Sequence, residues 1–168
     1  SIAYFYKQNV DLQSLNQDVG QLILYNCRRG GLDFDPDYQR GHVWSEEDKV
    51  CLIDSVFNNY EIGKFAFIRK PTDSKELMEV LDGKQRLTTL IEFYEGRFTY
   101  EGKLFSELST ADRFHFLDYQ VTVMIGDERM TSEEKYEYFL RMNTRGKVQN
   151  EDHLEYVSKL LKKSKKKK

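Results

Sequence analysis

The sequence predicts an α+β domain, on three observations. Some segments carry apolar residues at helical spacing and others carry short unbroken apolar runs. The two kinds intermix without repeated strand–helix–strand units, which argues against a doubly wound parallel sheet. The length of 168 residues suffices for one well-filled core. Mean hydropathy is -0.69, and no apolar run approaches the roughly 20 residues of a membrane span. The opening Ser1-Ile2-Ala3-Tyr4-Phe5-Tyr6 lacks the charged leader and long apolar core of a secretory signal, so a cytoplasmic protein with no membrane partner is expected.

Leu12, Leu15, Val19, Leu22 and Ile23 predict a first helix, stopped by Gly30-Gly31. Leu32-Asp33-Phe34 reads as extended, and Asp35-Pro36 as a turn into Tyr38-Gln39-Arg40. Ser45, with Asp48 three residues on, is a box-like helix start whose predicted core face is Val50, Ile53, Val56 and Phe57. Phe65-Ala66-Phe67-Ile68 and Leu77-Met78-Glu79-Val80-Leu81 predict strands, split by the breaker Pro71-Thr72-Asp73-Ser74. Asp82-Gly83 makes the next bend. Leu87, Leu90, Ile91 and Tyr94, at i, i+3, i+4 and i+7, then predict an amphipathic helix that ends at Gly96.

Phe98-Thr99-Tyr100 and Lys103-Leu104-Phe105 flank Glu101-Gly102 as a hairpin or strand pair. A short helix is expected over 111–117 and a strand over 119–125. Thr131-Ser132-Glu133-Glu134 caps a helix through Arg141, and 143–146 is a turn. Asn150 caps a last helix that frays into the tail. The domain is accordingly bounded at 1–158, with a flexible lysine-rich tail, the only low-complexity segment, at 159–168.

Cys27 and Cys51 have neither metal nor redox spacing and read as reduced, buried thiols, Cys51 on the apolar face of its helix. His42, His115 and His153 are scattered, which argues against a zinc site. Charge is unevenly distributed. Residues 159–168 hold 7 Lys and no acid, which leaves 19 basic against 28 acidic residues elsewhere, a body of net charge -9. That is not the profile of a protein that grips DNA across a broad face. Lys162, Lys163, Lys165, Lys166, Lys167 and Lys168 can act as a weak, salt-sensitive nucleic-acid tether or serve only solubility.

Lys84, Gln85 and Arg86 fall in the first turn of the predicted helix, where N–H groups are unpaired and the macrodipole is positive. Cations there are locally unfavourable unless an anion sits beside them, and phosphate is the usual one. The alternative is a plain turn with solvated Lys84 and Arg86. Asp82 can orient an attacking water or hold Mg²⁺ against a phosphate, or simply accept backbone N–H bonds in the turn. Arg40, after Gln39, can grip phosphate oxygens in bidentate fashion, or pair with Asp35 or Asp37. Trp44 reads as a core staple before it reads as a stacking platform. Asn143 can contact a ribose, a base edge or a phosphate, or cap its helix in the left-handed region. No Walker A sequence is present, which excludes a P-loop mechanism.

Three ordered motifs carry a family resemblance. Asp82-Gly83-Lys84-Gln85-Arg86, followed by Leu87-Thr88-Thr89-Leu90, is similar to an Asp-Gly-Gln-Gln-Arg signature. Gln39-Arg40-Gly41-His42-Val43-Trp44-Ser45 resembles a Gln-Arg-x-x-x-Trp-Ser motif, and Phe139-Leu140-Arg141-Met142-Asn143-Thr144-Arg145-Gly146 a Phe-x-Arg-x-Asn-x-x-Gly motif. From about Leu12 to about Leu154 the chain thus resembles the N-terminal domain of GmrSD-type modification-dependent restriction enzymes, related to the ParB/sulfiredoxin fold. Lys84 stands where that family usually has Gln, and the chain stops where members usually continue into a helical or HNH nuclease domain.

The resemblance implies a small mixed sheet packed against several helices. It also implies nucleoside triphosphate hydrolysis that controls or powers action on DNA, in restriction, phage defence or counter-defence. Asp82, Gln85 and Arg86 would form the catalytic and phosphate turn, with Gly83, Lys84 and Thr88 beside the phosphates. Gln39 and Arg40 would form the opposite phosphate wall, and Asn143 and Gly146 would close the site. The implied ligands are an NTP and, for catalysis, Mg²⁺ on Asp82; the implied partners are DNA and a protein supplying a nuclease domain. Two other readings stay open: a small ParB-like metal-dependent DNA nuclease, and a non-catalytic protein- or nucleic-acid-binding domain.

Overall fold

Phe65-Ala66-Phe67-Ile68 and Met78-Glu79-Val80-Leu81 are continuously buried, as strands covered on both faces must be, and they lie at the heart of the sheet. The computed structural model of the protein describes residues 12–27, 31–34 and 43–144, together with Ser158, Lys159, Lys162, Lys163, Lys165 and Lys166, all six helical. The elements in order are β1 (Leu12–Asp18), α1 (Val19–Cys27), β2 (Leu32–Asp33), α2 (Glu46–Phe57), β3 (Phe65–Arg69), β4 (Met78–Asp82) and α3 (Lys84–Tyr94). A 3₁₀ turn (Phe105–Glu107), α4 (Thr110–Asp118), β5 (Gln120–Gly126) and α5 (Ser132–Thr144) follow. The strands form one mixed sheet in the order β1-β5-β3-β4-β2. β5 runs antiparallel to β1 and parallel to β3; β4 runs antiparallel to β3 and parallel to β2. The architecture is α+β with a small mixed sheet, as expected.

Strand alternation divides the interior into two cores. Phe65, Phe67, Val80 and Val123 point to one face, where α1 to α4 add Val19, Leu22, Ile53, Val56, Leu87, Leu90, Phe93 and Phe116. Ala66, Ile68, Leu81 and Met124 point to the other, where α5 lays Tyr138 and Phe139. The buried Glu79 on that second face is paired with Lys135 of α5, so a charge taken from water keeps a partner. Phe93 is the hub of the larger core, with Phe116, Phe98, Phe105 and Phe57 at centroid distances of 5.3, 5.5, 5.9 and 6.3 Å.

Helix starts follow local chemistry. The Ser45 hydroxyl accepts the Asp48 N–H at 3.2 Å while the Asp48 carboxylate accepts the Ser45 N–H at 3.0 Å, the predicted capping box. The Asp18 side chain accepts the Gln21 N–H at 2.7 Å and starts α1. Thr131 accepts the Glu134 N–H at 3.2 Å and starts α5.

Four sequence expectations need correction. Residues 12–18 are not the start of a helix but the edge strand β1, in seven consecutive pairs with β5. Only Leu12 and Leu15 supported the helical reading there, and backbone pairing with β5 outweighs so sparse a pattern. The hairpin expected around Glu101-Gly102 is present only as a tight turn, closed by one antiparallel bridge between Tyr100 and Lys103, and segments 98–100 and 103–105 do not extend it into strands; Phe98, Tyr100 and Phe105 turn onto the aromatic cluster. Both thiols are exposed, and the inward face of α2 is Leu52, Ile53 and Val56, with Val50 36% exposed. Cys51 stands above Ser55, whose hydroxyl bonds the Cys51 carbonyl on the helix flank. Finally, Asn143 and Thr144 belong to the last turn of α5 and not to a turn after it. Among the described residues no helix is long and apolar enough to cross a membrane.

Truncating Phe93 to Ala should cost about 3–5 kcal/mol of stability in urea unfolding, because it opens a cavity among four rings. Val43→Ala, at a position 74% exposed, should change stability by less than about 0.5 kcal/mol.

Candidate functional site

β4 delivers Asp82, 6% exposed, to the end of the sheet, and the chain turns there into α3. Gly83 makes the turn at φ +97°, and a Cβ at that position would lie 2.5 Å from a Phe65 ring carbon. Both the left-handed backbone and the missing side chain are therefore required. Lys84, Gln85 and Arg86 form the first helical turn, and no side chain among the described residues caps it. The Asp82 carboxyl accepts the Gly83 N–H; burial pushes its pKa above the ordinary carboxylate range, against the opposing pull of Arg86 and of that N–H.

Arg86 folds back beneath this turn. Its Nη1 donates to the Ile62 carbonyl at 2.7 Å and its Nη2 to the Lys64 carbonyl at 2.9 Å. Nη2 also lies 3.5 Å from Asp82 Oδ2, and the guanidinium carbon sits 4.6 Å above the Phe65 ring. Gly63, at φ +86°, leaves room for the guanidinium: a Cβ there would come within 2.7 Å of Nη1. Burial lowers the Arg86 pKa and Asp82 partly restores it. Arg86 is thus engaged in sewing the loop before β3 to the start of α3.

The described parts of the other two motifs lie close by. The Trp44 N–H reaches Gln85 Oε1 at 3.4 Å, which brings the start of α2 to the start of α3, and the Trp44 ring packs against the larger core. On the opposite face α5 packs Tyr138 and Phe139 with Leu81. Burial, and then the Asp82 charge, push the Tyr138 hydroxyl pKa up. Thr88 and Lys84 are half-buried on the first turns of α3. Gln39, Arg40, Gly146, Lys167, Lys168 and the Asn143 side chain lie outside the described residues. Sequence reasoning missed Ile62, Gly63, Lys64 and Phe65 as the partners of Arg86, and Tyr138 as a neighbour of Asp82. Only Gly63, just ahead of a strand, carried any local signal of a close approach.

No group of three His, Cys, Asp or Glu side chains converges among the described residues, and the Arg86 guanidinium already stands beside Asp82. Arg86→Lys keeps the charge but loses the fork that reaches two carbonyls, so urea unfolding should show a loss of about 1–3 kcal/mol.

No curated protein and no solved structure matches the chain. Residues 21–155 match the family described as GmrSD restriction endonuclease, N-terminal domain. That span includes all three motifs and most of the chain. This chain therefore belongs to the GmrSD restriction endonuclease N-terminal domain family.

Proposed function

We propose that the chain is a nucleotide-binding NTPase module acting in nucleic-acid metabolism, in restriction or phage defence, with phosphates held at the Asp82–Arg86 turn. What supports this reading is one buried carboxylate, Asp82, at the C-terminal end of β4, where a glycine turn leads into α3 and Tyr138 of α5 lies within its field. A strand end, a glycine turn and an uncapped helix start together make an anion site, because successive N–H groups and the helix dipole face the same point. Lys84 stands in the same first turn, and Gln85 accepts the Trp44 N–H just ahead of α2. Gln39 and Arg40 would complete the phosphate wall, and Asn143 and Gly146 would close it. Mg²⁺ would arrive with the triphosphate as part of the substrate.

Asp82 would orient the attacking water and take its proton, its proton affinity being raised by burial. Arg86 would act behind it, holding the carboxylate and the Ile62–Lys64 carbonyls in one arrangement. Water then displaces the nucleoside diphosphate from the terminal phosphorus, and the diphosphate leaves with the phosphoanhydride oxygen.

Phosphate release should be measured with each of the common NTPs and Mg²⁺, with plasmid nicking followed in the same samples. Asp82→Ala should reduce turnover by about 10²–10⁴-fold while the circular dichroism spectrum is retained. The acid limb of the rate–pH profile should lie above the ordinary carboxylate range, with activity falling as Asp82 is protonated. Turnover like that of the unmodified protein in Asp82→Ala would remove the residue from the reaction, and nicking without phosphate release would favour a nuclease.

A further inference from the structure

We infer that the outer edge of β1 is a docking edge for a second copy of this chain, the two β1 strands pairing antiparallel about a two-fold axis at Leu15. This goes beyond the proposed nucleotide chemistry and does not depend on it. β1 is seven residues long and, among the described residues, pairs on one side only, with β5. Its other side presents the N–H and C=O groups of alternate residues with no strand to receive them. Proteins usually blunt such an edge with charge, proline, a bulge or brevity. β1 uses none of these: Leu12-Gln13-Ser14-Leu15-Asn16-Gln17 carries no charge and no proline, and its register with β5 runs without a shift. Gln13, Ser14, Leu15 and Asn16 are exposed. At the other edge of the sheet β2 has two residues, too few to hold a partner strand.

What selects a second copy is that the strand complements itself. The register that uses the whole of β1 sets Leu15 against the partner's Leu15, Ser14 against the partner's Asn16 and Gln13 against the partner's Gln17. Leu15 lies opposite Val123, which is in the larger core, so the two leucines, each 39% exposed, meet on that face and extend it across the axis. On the other face Ser14 and Asn16 offer hydroxyl and amide to each other. Gln13 Oε1 already accepts from Arg69 Nη2 at 3.2 Å, which leaves its amide N–H groups to donate. Gln17 Oε1 is buried without a hydrogen-bond partner, and a turn of that amide presents it to the partner's Gln13. A foreign extended peptide would satisfy the backbone edge as well, but the pairwise match of side chains is a property of β1 with itself. The net charge of -2 per chain opposes association little. Seven residues a side fall short of the roughly 20–30 of a stable interface, so the dimer is weak. The two Asp82 ends lie seven strand spacings apart, roughly 34 Å, and point in opposite directions, so neither copy completes the other's site.

The test is the mass of the full chain by sedimentation equilibrium between about 10 µM and 1 mM, a range in which a weak dimer becomes half-formed. Ser14 and Asn16 are exposed, so charges placed there should leave the fold intact by circular dichroism and thermal unfolding. Ser14→Lys with Asn16→Lys sets two like-charge pairs across the axis and should weaken the dimer at least about tenfold. That variant also brings the net charge from -2 to 0, which by itself favours association, so the loss must come from the pairing. Ser14→Lys with Asn16→Glu sets two opposite-charge pairs in the same places and should restore the dimer of the unmodified chain. A chain that stays monomeric to about 1 mM overturns the proposal and leaves the edge to a foreign strand. A dimer that survives the double-lysine change places the contact elsewhere, and failure of the Lys–Glu variant to recover it removes the register; either result overturns the proposal too.

Discussion

The guanidinium of Arg86 is the point on which the candidate site depends. It is one side chain of α3, yet it takes two carbonyls from the loop before β3, lies over Phe65 of β3 and stands beside Asp82 of β4. Two glycines with positive φ, Gly63 and Gly83, make the space in which this happens. Neither could carry a side chain without meeting the guanidinium or the Phe65 ring. The position of the Asp82 carboxylate is therefore set by packing around a buried cation as much as by the strand that bears it. A charge buried beside its partner and hydrogen-bonded to carbonyls is costly to disturb, which makes the arrangement rigid.

The sheet is covered by helices on both faces. β3 and β4 alternate their side chains between a large core under α1 to α4 and a smaller one under α5. The strand that ends in Asp82 is consequently sandwiched. α3 continues from it on one face, α2 reaches α3 through the Trp44 N–H, and α5 lies on the other face with Tyr138 within the field of Asp82. The Glu79–Lys135 pair fastens α5 to the same strand. Charge is segregated along the chain: residues 159–168 hold 7 Lys and no acid, and Lys165 pairs with Glu137 of α5.

Much of this was legible in the residues. The Ser45 box, the apolar runs of β3 and β4 and the Asp82-Gly83 bend rest on interactions between residues a few positions apart, and each is found where the sequence predicts it. The errors arose where a distant partner decided the outcome. Leu12 and Leu15 fit a helical spacing, but β5 offered seven backbone pairs. Phe98, Tyr100 and Phe105 fit strands, but each ring found the aromatic cluster: Phe98 lies 5.5 Å from Phe93, Tyr100 stacks at 5.2 Å on Phe57, and Phe105 lies 5.9 Å from Phe93. Cys51 fits an apolar stripe, yet the inward side of α2 is set one residue further on by Leu52 and Ile53.

By itself the sequence determined the α+β class, the strand–glycine–helix turn at Asp82, the capping of α2 and the segregation of lysines to one end, because those follow from period, local hydrogen bonding and composition. The tertiary structure alone decided that Arg86 is turned toward the Ile62 and Lys64 carbonyls, that β1 joins the sheet edge, that Tyr138 lies close to Asp82, and that Lys165 pairs with Glu137. Each of these joins residues roughly 20 to 110 positions apart, beyond the reach of propensity or periodicity. Their energies come from desolvation and packing, which exist only once the chain has closed around them.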